Sequence, residues 1–91
     1  MAPEAVDDLK RLAANQRAAV KDAIEAHLRH EPGQTSRSRI KRLRGIERPQ
    51  YRLRVGDVRV FYDITNGVVE ILAIVEKSEA NAWLAQFADP R

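Results

Sequence analysis

An α+β fold is what the sequence predicts: an N-terminal helical hairpin packed on a three- to four-stranded antiparallel sheet, closed by a short C-terminal helix. Three observations carry this. Apolar residues recur at three- and four-residue steps up to Leu28, the period falls to two from Tyr51 onward, and the alternating segments meet at Gly56-Asp57 and Asn66-Gly67. At 91 residues and with no cysteine, the chain reads as one small domain, 1–91, without disulfides or thiolate chemistry. A core this small is marginal, which favours a tightly bound partner.

The first helix runs from Pro3 to about Ala13. Pro3 suits a first turn, and Glu4, Asp7 and Asp8 suit the positive end of the helix dipole. Val6, Leu9 and Ala13 begin an apolar stripe that Val20, Ile24 and Leu28 continue on a second helix, roughly 16–29. The stripe falters at Asn15 and Gln16, and Asn15 is a good N-cap for the second helix. Pro32 and Gly33 end it, and a polar loop follows to Arg39. Arg39 to Arg44 reads either as a short strand or as loop. Three strands then follow as a meander: Tyr51 to Val55, Val58 to Ile64, and the apolar run from Val68 to Glu76. Ser78 is the expected N-cap of a last helix carrying Ala82, Trp83 and Phe87.

The net charge of +3 hides an uneven distribution. Residues 29–59 hold ten basic side chains (Arg37 and Arg39 among them) against three acidic ones, while both flanking segments are slightly acidic. Such a block is the footprint of a phosphate-binding surface. Two-residue turns fix strand register, and through Gly56-Asp57 they place Arg54 opposite Arg59, Leu53 opposite Val60, and Arg52 opposite Phe61. Tyr51, Leu53, Val55, Val58, Val60, Tyr62 and Ile64 then share one face, suited to packing on the helices. Arg52, Arg54 and Arg59 gather on the other, where like charges facing each other cost roughly 0.2–1 kcal/mol per pair. An anion placed among them removes that cost. Carried through Asn66-Gly67 without interruption, the register sets Phe61 opposite Leu72 and Arg59 opposite Ile74. The arginine face then has an apolar half for the C-terminal helix or a partner's helix to cover, and Glu76 shares its parity as a candidate general base.

Other chemistry has little to stand on. His27 and His30 sit at the end of the second helix, where cationic imidazole suits the dipole. No His, Asp and Glu set has metal-ligand spacing, and no glycine-rich loop precedes a helix, so neither metal nor cofactor is expected. Charged residues from Glu4 to Arg11 argue against a secretory leader, and the longest strongly apolar stretch, Ile71 to Val75, is far short of a membrane span. A cytoplasmic location follows as the expectation.

Lys41-Arg42-Leu43-Arg44-Gly45, followed by Tyr51-Arg52-Leu53-Arg54-Val55-Gly56-Asp57-Val58-Arg59-Val60-Phe61-Tyr62, resembles the RelE/ParE superfamily of type II toxins. Ala5, Leu9, Leu12 and Ile24 fit the helical hairpin of that family, and the likeness covers nearly the whole chain. In the RelE branch the resemblance implies ribosome-dependent mRNA cleavage by 2′-hydroxyl attack, with clustered cations in place of a histidine pair. The basic strand positions of the family fall on Arg52 and Arg54 and its next-strand arginine on Arg59, with Lys77 as proton donor or extra clamp. Lys41, Arg42 and Arg44 are expected to track the RNA backbone. A cognate antitoxin is expected to bind tightly over Phe61, Leu72, Ile74 and Trp83. The other partners implied are the ribosome and mRNA, with no membrane.

Departures from the pattern keep other readings open. Ser78 stands where RelE-type nucleases carry a further arginine, and Trp83-Leu84 occupies the region of their tyrosine. ParE-like toxins, which inhibit DNA gyrase by binding, do not need those residues, and an attenuated toxin that only binds its antitoxin is a third reading. Family members also open with a short strand before the position of Ala5, and Met1 stands too close to supply one. Either the start is shortened or mis-assigned, or a sheet edge is left for a partner.

Overall fold

The computed structural model describes residues 1–36 and 38–90; Arg37, one of the cations of the basic block, lies outside the described residues. Two helices, α1 (Pro3–Arg11) and α2 (Ala14–His27), precede strands β1 (Ile40–Arg42), β2 (Ile46–Arg48), β3 (Tyr51–Val55), β4 (Val58–Thr65) and β5 (Val68–Glu76). A 3₁₀ turn (Lys77–Glu79), helix α3 (Ala80–Phe87) and strand β6 (Asp89–Pro90) complete the order. The main sheet is antiparallel in the order β1-β3-β4-β5, so Arg39 to Arg44 does supply a strand. The pairing of β2 with β6 in a small second sheet had no signal in the sequence.

The helices break two residues earlier than Asn15 suggests. Ala13 is the N-cap of α2, and its N–H donates to the Gln16 side-chain carbonyl, three positions on. Across the break the Arg17 guanidinium donates to the carbonyls of Leu9 (3.3 Å), Lys10 (3.3 Å) and Leu12 (3.0 Å) at the end of α1, the first of which also accepts the Leu12 N–H. The buried stripe on α1 is Ala5 and Leu9, continued by its C-cap Leu12, while Val6 is exposed. These residues join Val20, Leu28, Ile40, Leu53, Val58, Val60, Tyr62, Ile71 and Ile74 in a single core between helices and sheet. Ser78 falls within the 3₁₀ turn, and α3 starts after Glu79 without a side-chain cap.

The β3–β4 register is the one expected, from Tyr51 opposite Tyr62 to Val55 opposite Val58. The β4–β5 register is not. Asn66 (φ 53°) and Gly67 (φ 77°) form the tight turn, and Tyr62 pairs with Ile71, but a bulge then sets Phe61 opposite Ala73 and Arg59 opposite Val75. The continuous apolar run offers no alternation to hold a strict register. The extra residue lets Ile71 and Ile74 both enter the core and puts small Ala73, not Leu72, across from Phe61. Ile74, expected on the arginine face, is therefore a core residue that is 3% exposed. Glu76, paired with Val58, shares the helix-side parity, and Lys77 follows it as the first residue of the 3₁₀ turn, past the end of the paired register.

At the outer edge of β5 the Ala2 N–H donates to the Ile71 carbonyl (2.8 Å), and the Asp8 carboxylate accepts the Ile74 N–H (3.0 Å). Part of that edge is thus closed from within the chain.

Candidate functional site

The sheet face away from the helices is zoned along its length. At one end, next to the Gly56-Asp57 turn, Arg54 pairs with Arg59, and Arg52 pairs with Lys41 of β1 on its other side. Phe61 and Ala73 form the middle. Asp63 and Glu70 close the far end, where Arg48 reaches both carboxylates (3.2 Å and 3.0 Å). The cationic end has no such pairing: among the described residues, no carboxylate forms an ion pair with Arg52, Arg54 or Arg59.

The three arginines differ in surroundings. Arg54 is exposed, whereas Arg59 is 8% exposed and donates from one Nη to the carbonyls of Gly56 (2.8 Å) and Val58 (3.0 Å). Arg52 is half-buried, and its Nε–H is buried with no hydrogen-bond partner. Burial, then the charge of Arg59, then that of Arg54 hold its pKa below the usual arginine value. An unsatisfied buried donor costs about 1–3 kcal/mol, and more when charged. The arrangement is thus a concentrated positive charge with one unfilled donor, which an oxyanion relieves on both counts.

The other expected basic residues divide. Lys41 belongs to the arginine face by register, and Arg44 is exposed beside Gly45. Arg42 does not belong to it: paired with Tyr51, it lies over that ring (5.2 Å) on the helix side and donates to the Gln50 carbonyl (2.8 Å). Alternation along a three-residue strand makes that separation unavoidable. Lys77 is exposed, and its backbone N–H donates to the Asp57 carbonyl (2.7 Å), which ties β5 to the β3–β4 turn. His27 and His30 line a separate open cavity of about 390 Å³ near Ser36 and Arg39, which none of Arg52, Arg54 and Arg59 lines.

The apolar middle is already covered. Trp83 of α3 stacks on Phe61 with ring centres 5.0 Å apart and planes within 6°, and Phe87 packs at a tilt on Trp83 (5.5 Å). Phe61 is therefore only 1% exposed, while Phe87 keeps 57% of its surface in solvent. Leu72, at the bulge, is half-buried. Among the described residues no group of His, Asp and Glu side chains could hold a metal ion, and no helix is long and apolar enough to cross a membrane.

The model of the family described as "ParE toxin of type II toxin-antitoxin system, parDE" matches residues 1–81. The chain belongs to this ParE toxin family. Its place is therefore that of the toxin in a type II toxin–antitoxin pair, and membership implies an antitoxin partner. No curated protein and no solved structure matches the chain significantly.

Proposed function

We propose that this toxin is a ribosome-dependent mRNA endoribonuclease whose basic sheet face takes the RNA backbone. The observation that carries the reading is the grouping of Arg52, Arg54 and Arg59 with Lys41 at one end of the face, with no carboxylate paired to the three arginines among the described residues and with a buried Arg52 donor unfilled. In such a reaction the 2′-hydroxyl attacks the adjacent phosphorus, the bond to the 5′ oxygen breaks, and charge grows on the pentavalent intermediate. Preorganised guanidinium donors stabilise that charge by several kcal/mol. Arginine, with a pKa of roughly 12–14, is a poor proton acceptor. The Lys77 ammonium serves as donor to the leaving 5′ oxygen, and the 2′ proton departs to a ribosomal group or to solvent. Lys41 and Arg44 follow the flanking phosphates, while Arg42 is engaged on the opposite face. The antitoxin docks over Phe61 and Trp83, with Leu72 at its border and either on α3 or in place of it. Ile74 belongs beneath the sheet and takes no part in docking.

The test uses purified ribosomes carrying a defined mRNA. The expected products end in a 2′,3′-cyclic phosphate and a 5′-hydroxyl, and an mRNA with a 2′-deoxy nucleotide at the cut site resists. Intact mRNA at toxin concentrations that arrest translation overturns the reading. A second reading, inhibition of DNA gyrase by binding, is favoured by one observation: the bulge takes Glu76, the candidate general base, out of register with the arginines. Loss of supercoiling by purified gyrase, with mRNA left whole, decides for it.

A further inference from the structure

Within the basic cluster the arginines do not have equal freedom to meet a ligand. Arg59 is 8% exposed, and one of its Nη groups is committed to the carbonyls of Gly56 and Val58, one on the β3–β4 turn and one just beyond it. The third carbonyl there, that of Asp57, is taken by the Lys77 N–H. The turn that separates Arg54 from Arg59 is thus clamped from two sides, and Gly56 holds a positive φ of 56° within it. Arg52, two positions back on β3, is the group left with a buried, unpaired N–H. A guanidinium that offers Nε–H together with a neighbouring Nη–H presents the planar fork that matches two oxygens of a phosphate.

We infer that Arg59 is a positioning residue, which clamps the β3–β4 turn through the Gly56 and Val58 carbonyls, and that Arg52, half-exposed as a side chain, turns its buried and unpaired Nε–H outward to receive a phosphate-class oxyanion. The inference rests on the basic face being an anion site, and it divides labour among residues that the resemblance treats alike. The buried charge of Arg59 acts on the ligand through Arg52: it helps to hold the Arg52 pKa down, so a bound anion gains from neutralising both.

The test is a titration of the ¹⁵N-labelled full chain with inorganic phosphate, following arginine Nε–H and backbone amide resonances. The Arg52 Nε–H should shift to saturation while that of Arg59 stays in place. Arg52→Lys, which keeps the charge but not the fork, should lose about tenfold in phosphate affinity. Arg59→Lys should move the Gly56 and Asp57 amides before phosphate is added and lower affinity about threefold, with the Arg52 response retained. A purely structural Arg59 would lower the melting temperature without changing phosphate affinity, and that result overturns the positioning role. An Arg59 Nε–H that tracks phosphate as Arg52 does overturns it as well, and this measurement on the unmutated chain decides even if Arg59→Lys does not fold. Should both arginines behave as expected while ribosome-bound mRNA stays whole, the inference stands and the nuclease reading falls. Should mRNA be cut while neither arginine responds to phosphate, the inference falls and the nuclease reading stands.

Discussion

Single side chains in this protein do work that their position in the sequence does not announce. Arg17 lies in the first turn of α2, yet its side chain reaches three carbonyls at the end of the preceding helix. Only the angle between α1 and α2 creates that contact, so no local rule could reveal it. Arg17→Ala should lower unfolding free energy by about 1–2 kcal/mol in urea denaturation, whereas Arg11→Ala, on the exposed side of α1, should change it by less than about 0.5 kcal/mol. Tyr62 was legible as a core residue from strand alternation, but its partner was not: the phenol O–H donates to the Pro32 carbonyl (2.6 Å), thirty positions back. Burial, and secondarily Tyr51, raise its pKa above the usual tyrosine value. The folded state therefore binds this proton more tightly than the unfolded chain. Stability should be level below the unfolded value of about 10 and should then fall by as much as 1.4 kcal/mol per pH unit. Urea titrations between pH 8 and 11 should show that loss, and Tyr62→Phe should reduce it.

Among the elements, those set by local chemistry were legible and those set by distant contacts were not. The Gly56-Asp57 turn specifies its hairpin fully, which is why the cross-strand neighbours of Arg52, Arg54 and Arg59 could be read from alternation alone. The Asn66-Gly67 turn specifies its hairpin only as far as Tyr62 and Ile71, because the bulge that follows answers to core volume on one face and to Phe61 and Trp83 on the other. That single bulge moves Ile74 into the core and takes Glu76 off the face of the arginines. Ile74→Ala should therefore cost about 2–4 kcal/mol of stability by chemical denaturation, the loss expected of a buried isoleucine. A loss near zero, with antitoxin binding abolished, would instead mark Ile74 as a surface docking residue. Helix α3 was expected as the cover of the apolar patch, and the Trp83–Phe61 stack is how it covers it. Strands β2 and β6 are too short, and too far apart in the chain, to leave a pattern.

The molecule as a whole turns a linear charge block into a zoned face. Cations gather at the β3–β4 turn, aromatic surface fills the middle, and Arg48 bridges Asp63 and Glu70 at the far end. The block itself was visible in the sequence, and so was the absence of an acid across from Arg54. The division of that block into a sheet-face group and an outlier such as Arg42 needed the short edge strand β1 to be seen in place. What makes the face a candidate site is that its positive end is left electrostatically unsatisfied in a domain too small to sustain such strain without return. The most direct test of its purpose is to map transcript 5′ ends in cells after brief induction of the toxin, with Arg52→Gln in parallel. The account predicts new 5′-hydroxyl ends inside translated codons with the unaltered chain and none with the variant, provided both accumulate equally. Growth arrest with every transcript whole, or cleavage undiminished in Arg52→Gln, would contradict it.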